Sequence, residues 1–158
     1  MSSLQVDSIA SMGGGHVDGA GLVVQYVETS VSKVVTPIDT SSSSFVNSGI
    51  EVAITPTFIG SKICVNYTGS LAAVNPNHRL AVALFESDIK LAGNYSIGYL
   101  SSDGSTVYSP VTGSYVFTTT SLSPLNFAVW IQRAAGTGSV TFTHGSSSYI
   151  LSATEYAQ

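Results

Sequence analysis

Ser44-Phe45-Val46-Asn47-Ser48-Gly49-Ile50-Glu51-Val52-Ala53-Ile54-Thr55-Pro56, followed by Ser61-Lys62-Ile63-Cys64-Val65-Asn66-Tyr67, is the stretch that decides the fold. Ile50, Val52 and Ile54 alternate with Glu51, Ala53 and Thr55. Ile63, Val65 and Tyr67 alternate with Cys64, Asn66 and Thr68. A period of two puts each set on one face of a sheet. The spacing predicts two paired strands of a β-sandwich. Pro56 has no N–H for a ladder and ends the first strand. Gly49 and Gly60 punctuate the run.

Outward from that stretch the chain reads as strands and turns. Strands are predicted at 22–28, at 33–39 (an edge, because Pro37 interrupts it), at 50–55 and at 62–70. Asn75-Pro76-Asn77 is a turn signal. Strands follow at 79–86 and 89–91, with a short one at 95–100 inside a polar loop. Asp103-Gly104 reads as a hairpin-type turn. Strands at 114–120, 126–133, 140–143 and 149–155 complete the chain. Ala81 to Phe85 is too short and too flanked by strand patterns to be a helix. Short strands separated by turns predict an all-β antiparallel sandwich, with no repeat of fixed period.

A length of 158 residues is that of one domain with a core of its own. Charged residues are only 9% against a usual share of about 25%. Ser, Thr, Gly and Asn replace part of the missing charge, and a covering subunit is expected to replace the rest. Five Lys and Arg and a net charge of −4 give no basic footprint, which argues against a nucleic-acid partner. No apolar run approaches the roughly 20 residues of a membrane span. Met1-Ser2-Ser3-Leu4 lacks the basic and apolar regions of a signal peptide, so synthesis in a cytoplasm is expected. The single cysteine, Cys64, allows no disulfide within one chain and reads as a small buried residue.

Two strands are apolar on both faces. Phe127, Val129 and Ile131 oppose Ala128 and Trp130; Leu80, Val82 and Leu84 oppose Ala81, Ala83 and Phe85. Val34 with Val35, and Ile150 with Leu151, show the same pattern. One face belongs between the sheets, and the second is expected to meet another chain, beside the alternative of a large single core with few solvent-facing strands. Trp130, Leu151, Ala153 and Glu155 are the predicted interface residues. Glu155 lies in an apolar strand, where a carboxylate needs a partner; Arg79, Arg133 and Lys62 are the candidates.

No catalytic constellation is found. His16, His78 and His144 show no metal-ligand spacing, so no metal or cofactor is expected. Glu86 and Asp88 are the one close acidic pair. Two carboxylates can cleave a glycosidic bond, but this pair suits the decoration of a turn better. There is no Gly-x-Ser-x-Gly elbow. Gly13-Gly14-Gly15-His16 lacks the strand and the Lys-Ser/Thr ending of a phosphate loop. Tyr95, Tyr99, Tyr108 and Tyr115 cluster in the middle of the chain. Exposed tyrosines suit sugar or protein contacts, and the first three are candidate receptor contacts beside the plainer reading as strand residues.

Residues 1–21 are Gly-rich but carry Leu4, Val6 and Ile9. They read as an attachment arm that gains order on a neighbour, beside the alternative of a disordered leader. Residues 22–158 form the domain. The pattern of SFV, spacer, alternating strand to ITP, then SKI and a second strand resembles small virion proteins of tailed bacteriophages. Leu22-Val23-Val24-Gln25-Tyr26-Val27 and Leu151-Ser152-Ala153-Thr154-Glu155-Tyr156-Ala157 resemble the opening and closing strands of that group. The resemblance implies a jelly roll similar to the trimeric complement-component and tumour-necrosis-factor type, with the closing strand near a threefold axis. It implies a non-enzymatic capsid decoration or head fibre on the virion surface, bound to the major capsid protein or a tail protein. The alternative is a tail-fibre tip that contacts a host surface glycan; a small polysaccharide depolymerase ranks below both.

Overall fold

A computed structural model describes residues 21–31, 38–73, 79–91, 98–101, 107–137, 139–142 and 148–157. Among them are eleven strands and no helix. They are β1 (Val23–Val31), β2 (Ile38–Thr40), β3 (Val46–Ile54), β4 (Lys62–Ala73), β5 (Arg79–Glu86) and β6 (Ile89–Lys90). β7 (Gly98–Ser101), β8 (Val107–Thr118), β9 (Leu125–Ala135), β10 (Val140–Phe142) and β11 (Tyr149–Tyr156) follow.

The strands form two antiparallel sheets. The first runs β1-β11-β4-β10-β2, with β8 on the other edge of β4. The second runs β3-β9-β5-β6, with β7 also on β5. Stripped of the short β2, β6 and β10, the layers are β1-β11-β4-β8 over β3-β9-β5-β7. Successive strands of these layers switch sheets except β5 and β7, which pair with each other, and the first and last strands also pair. This is the jelly-roll order, four strands a side.

Alternation predicted the faces correctly and the pairing wrongly. Ile50, Val52, Ile54, Ile63, Val65 and Tyr67 are all buried in one core. But β3 pairs with β9, and β4 with β8 and β11, so the two strands belong to opposite sheets. The connection from Thr55 to Ser61 is too long for a tight hairpin. With Pro56 ending one strand and Gly60 at φ +86°, it carries the chain across the sandwich. Leu80, Val82, Leu84, Phe127, Val129, Ile131, Phe142, Leu151 and Ala153 fill the space between the sheets. Each large apolar side chain there stabilises the fold by about 1.5–3 kcal/mol.

The second apolar faces of β5 and β9 are closed within the chain, which corrects the expectation that a neighbour must cover them. Ala81, Ala83, Phe85 and Ala128 are buried. Phe85 stacks on Trp130 with ring centroids 4.3 Å apart, and Phe45 packs against Phe85 at 5.6 Å. Alanines are small enough for these three rings to roof them. β8 starts well before the predicted strand and runs through Pro110. As an edge strand it tolerates a residue without an N–H.

Candidate functional site

The connections at one end of the sandwich are built around Glu155. Its position on the inward row of β11, beyond Leu151 and Ala153, buries it completely. The predicted partners Arg79, Arg133 and Lys62 are not what holds it. Ser61 donates its hydroxyl to Oε1 at 2.6 Å, Thr57 its N–H at 2.9 Å, and Phe58 its N–H at 3.2 Å. Gln25, on β1, donates its amide to Oε2 at 2.6 Å. Burial alone pushes the carboxyl up. The hydrogen bonds from Ser61, Gln25, Thr57 and Phe58 outweigh it and hold the group below its ordinary value. Donor-rich burial needs no cation. Thr119 completes the cluster, donating its hydroxyl to Phe58 O at 2.8 Å. Its backbone exchanges hydrogen bonds with Gly60 and Ser61.

The fastened loop carries an apolar tip. Phe58 is 53% and Ile59 68% exposed, and Leu122, in the adjoining β8–β9 connection, is 51% exposed. A cavity of about 340 Å³ lies between Phe58, Ile59, Ser61 and Ala157. Gly21 donates its N–H to Ala157 O, and Ala157 to Leu22 O. The domain's first described residue therefore lies beside the same tip.

The outward face of the first sheet is a second candidate surface. Cross-strand pairing sets it out in rows: Tyr26-Thr154-Cys64-Val116, Glu28-Ser152-Asn66-Ser114, and Ser30-Ile150-Thr68-Thr112. Glu28 is the one charged residue in the three rows. Tyr26 donates its hydroxyl to Glu28, a hydrogen bond that raises the phenol above its ordinary value. Ile150 and Val116 stand exposed among Ser, Thr and Asn. Cys64 lies here, half-buried on the outer face, where the sequence reading had placed it inside.

The predicted interface residues divide. Trp130 is half-buried on the outer face of the second sheet. Leu151, Ala153 and Glu155 are enclosed within one chain and offer no side-chain surface; the exposed residue of that strand is Ile150. Tyr99 and Tyr108 hold register positions opposite Ala81 and Ala72, and Tyr115 packs against the core. Glu86 ends β5 half-buried, and its carboxylate accepts from the Ser87 hydroxyl. Leu4, Val6, Ile9, Val34, Val35, Tyr95, Asp103-Gly104 and the three histidines lie outside the described residues. Among the described residues no group of three His, Cys, Asp or Glu is placed to hold a metal, and no helix is long and apolar enough to cross a membrane. The Glu155 cluster was missed from the sequence. Its side-chain signal was Ser61 after the turn, with an acid in an apolar strand; Thr57 and Phe58 act through their backbone N–H groups.

No family model and no curated protein matches the chain. Among solved structures it is similar to a chain in the structure of infectious bursal disease virus Gx strain, at 10% identity and a TM-score of 0.45. That match covers 85% of this chain and 33% of the viral one, so the chain spans about a third of it. It is also similar to the sugar-binding EclA C-terminal domain, at 14% identity and a TM-score of 0.35, over 91% of this chain and 86% of that one. The jelly-roll assignment rests on the strand order of the chain itself.

Proposed function

We propose that the chain is a non-enzymatic structural component of a bacteriophage virion surface: a homotrimeric capsid decoration or head fibre, attached through residues 1–21. The observation that carries this reading is the Glu155 cluster. Three separate stretches resemble the phage virion proteins, and all three meet there. Gln25 comes from the opening strand, Thr57, Phe58 and Ser61 from the ITP-to-SKI connection, and Glu155 from the closing strand. These residues together fasten one loop between the first and last strands.

That loop also supports the mode of attachment. The arm joins the domain beside the tip formed by Phe58, Ile59 and Leu122. Leu4, Val6 and Ile9 can then add an extended segment to a sheet edge on the major capsid protein. Main-chain hydrogen bonds would give binding and the apolar side chains register. The exposed residues of these rows, Asn66, Thr68, Ser114, Val116 and Ile150 among them, would be the contact between copies. Almost free of charge, they avoid the cost of desolvating ions on assembly.

A chain truncated to begin at Gly21 tests the attachment. It is expected to fold and to form the same oligomer as the full chain, and to fail to bind particles lacking the native protein. Binding of the truncated chain at full-length occupancy would contradict the role of the arm.

A further inference from the structure

The outer face of the second sheet holds a pocket that neither the assembly rows nor the arm-bearing end uses. Ala128 lies between Asn126 and Trp130 along β9, and its small side chain leaves a depression. β3 forms one wall. A register shift between Asn47 and Ile50, with Gly49 at φ +80°, bulges that strand. Bulges re-aim side chains. Here Asn47 donates its amide to Glu51 Oε1 at 2.5 Å and accepts from Gly49 N–H at 2.8 Å. The opposite wall is the β5–β6 turn, with Ser87 and Asp88. Ser87 N–H donates to Asn126 O at 2.8 Å and ties this turn to β9. Trp130 closes one end, backed by the Phe85 ring. The cavity is about 230 Å³.

The lining has a distinct chemistry. Glu51 and Asp88 are acceptors, Asn47 and Asn126 are carboxamides, and the indole supplies the one aromatic surface. The Trp130 N–H is buried without an acceptor among the described residues. An aromatic wall beside a few polar groups suits a small ring that is hydroxylated at its edge and apolar on its face. Among the described residues no three His, Cys, Asp or Glu side chains converge here to hold a metal ion.

We propose that this pocket binds a single terminal saccharide unit, neutral or amine-bearing. Sugar hydroxyls donate to Glu51 and Asp88, the Asn126 amide engages a ring substituent, and the C–H face lies against Trp130. The two carboxylates exclude acidic sugars, because no cation lines the pocket to offset the repulsion. The site stands independently of the trimer and attachment reading.

Trp130 is the only tryptophan, so its fluorescence reports on this pocket directly. The full chain is titrated with glucose, galactose, glucosamine and glucuronic acid, and separately with calcium chloride. A saturable change in emission is expected for at least one neutral or amine-bearing sugar, with glucuronic acid at least roughly tenfold weaker. Glu51→Gln and Asp88→Asn sit at exposed positions and should leave the melting temperature unchanged. Each is expected to weaken the response roughly tenfold, the loss of a hydrogen bond to a charged group. The proposal is overturned by no saturable response to the neutral and amine-bearing sugars, or by an equal response to glucuronic acid. A response unchanged in both variants, or one produced by calcium chloride alone, overturns it as well.

Discussion

Glu155 shows how one buried acid can organise a connection. Its carboxylate accepts from two backbone N–H groups, a hydroxyl and an amide. The folded group titrates below its ordinary value of 4.5. Its contribution to stability is therefore full above that value and is lost as pH falls through the folded one. Glu155→Gln keeps one oxygen for Thr57, Phe58 and Ser61 and turns an amide donor toward the Gln25 amide. We expect it to cost about 1–3 kcal/mol at pH 7 and to flatten the loss of stability below pH 4.5. Urea unfolding of both proteins across that pH range measures this, and an equally steep acid limb in the variant would contradict it. A second residue-scale constraint is Gly69. A Cβ there would lie 2.2 Å from the Tyr67 hydroxyl, on a ring that is fully buried. Burial pushes that phenol well above its ordinary value, and the hydroxyl has no partner among the described residues.

At the scale of the strand, β5 and β9 bury both faces in one chain. The inner face packs Leu80, Val82 and Leu84 against Phe127, Val129 and Ile131. The outer face places alanines under Phe45, Phe85 and Trp130. Ala83 is completely buried there, opposite Trp130 in register. Ala83→Leu should overpack this layer and lower stability by about 1–3 kcal/mol, read as a drop in melting temperature. An unchanged melting temperature would mean the outer layer is open. These strands also show what was legible in the sequence. Alternation identified the inward rows of β3, β4, β5 and β9 because side-chain direction is local. It did not identify partners. Two facing sheets bury the same kind of row, so Ile50 and Ile63 look like neighbours on one sheet when they belong to opposite sheets of one core. The outer layer was misassigned for a related reason. Apolar residues on both faces reveal burial and do not say which chain supplies the cover. Phe45 lies 40 residues before Phe85, out of reach of any local pattern. Glu155 was legible as a carboxylate needing partners. Its donors were not, because two of the four are backbone N–H groups and the two side chains, Gln25 and Ser61, lie far from it in sequence.

At the scale of the whole molecule, the two sheets present different surfaces. On the second sheet β5 and β9 are roofed by the chain's own rings, while β3 presents Asn47, Glu51 and Ala53 to solvent beside the pocket over Ala128. The first sheet presents three rows of Ser, Thr, Asn, small apolar residues and Tyr26, with Glu28 their one charge and Lys62 in the next row. A protein with 9% charged residues concentrates its uncharged surface there. Assembly through this face into a trimer is the central claim. Light scattering at micromolar concentration tests it most directly, on the native chain and on Asn66→Lys, which puts a charge at an exposed position in the middle row. We expect the native protein to show three times the chain mass of 16.3 kDa, and the variant to fold but fall to the mass of one chain. A native protein with the mass of a single chain would contradict the account.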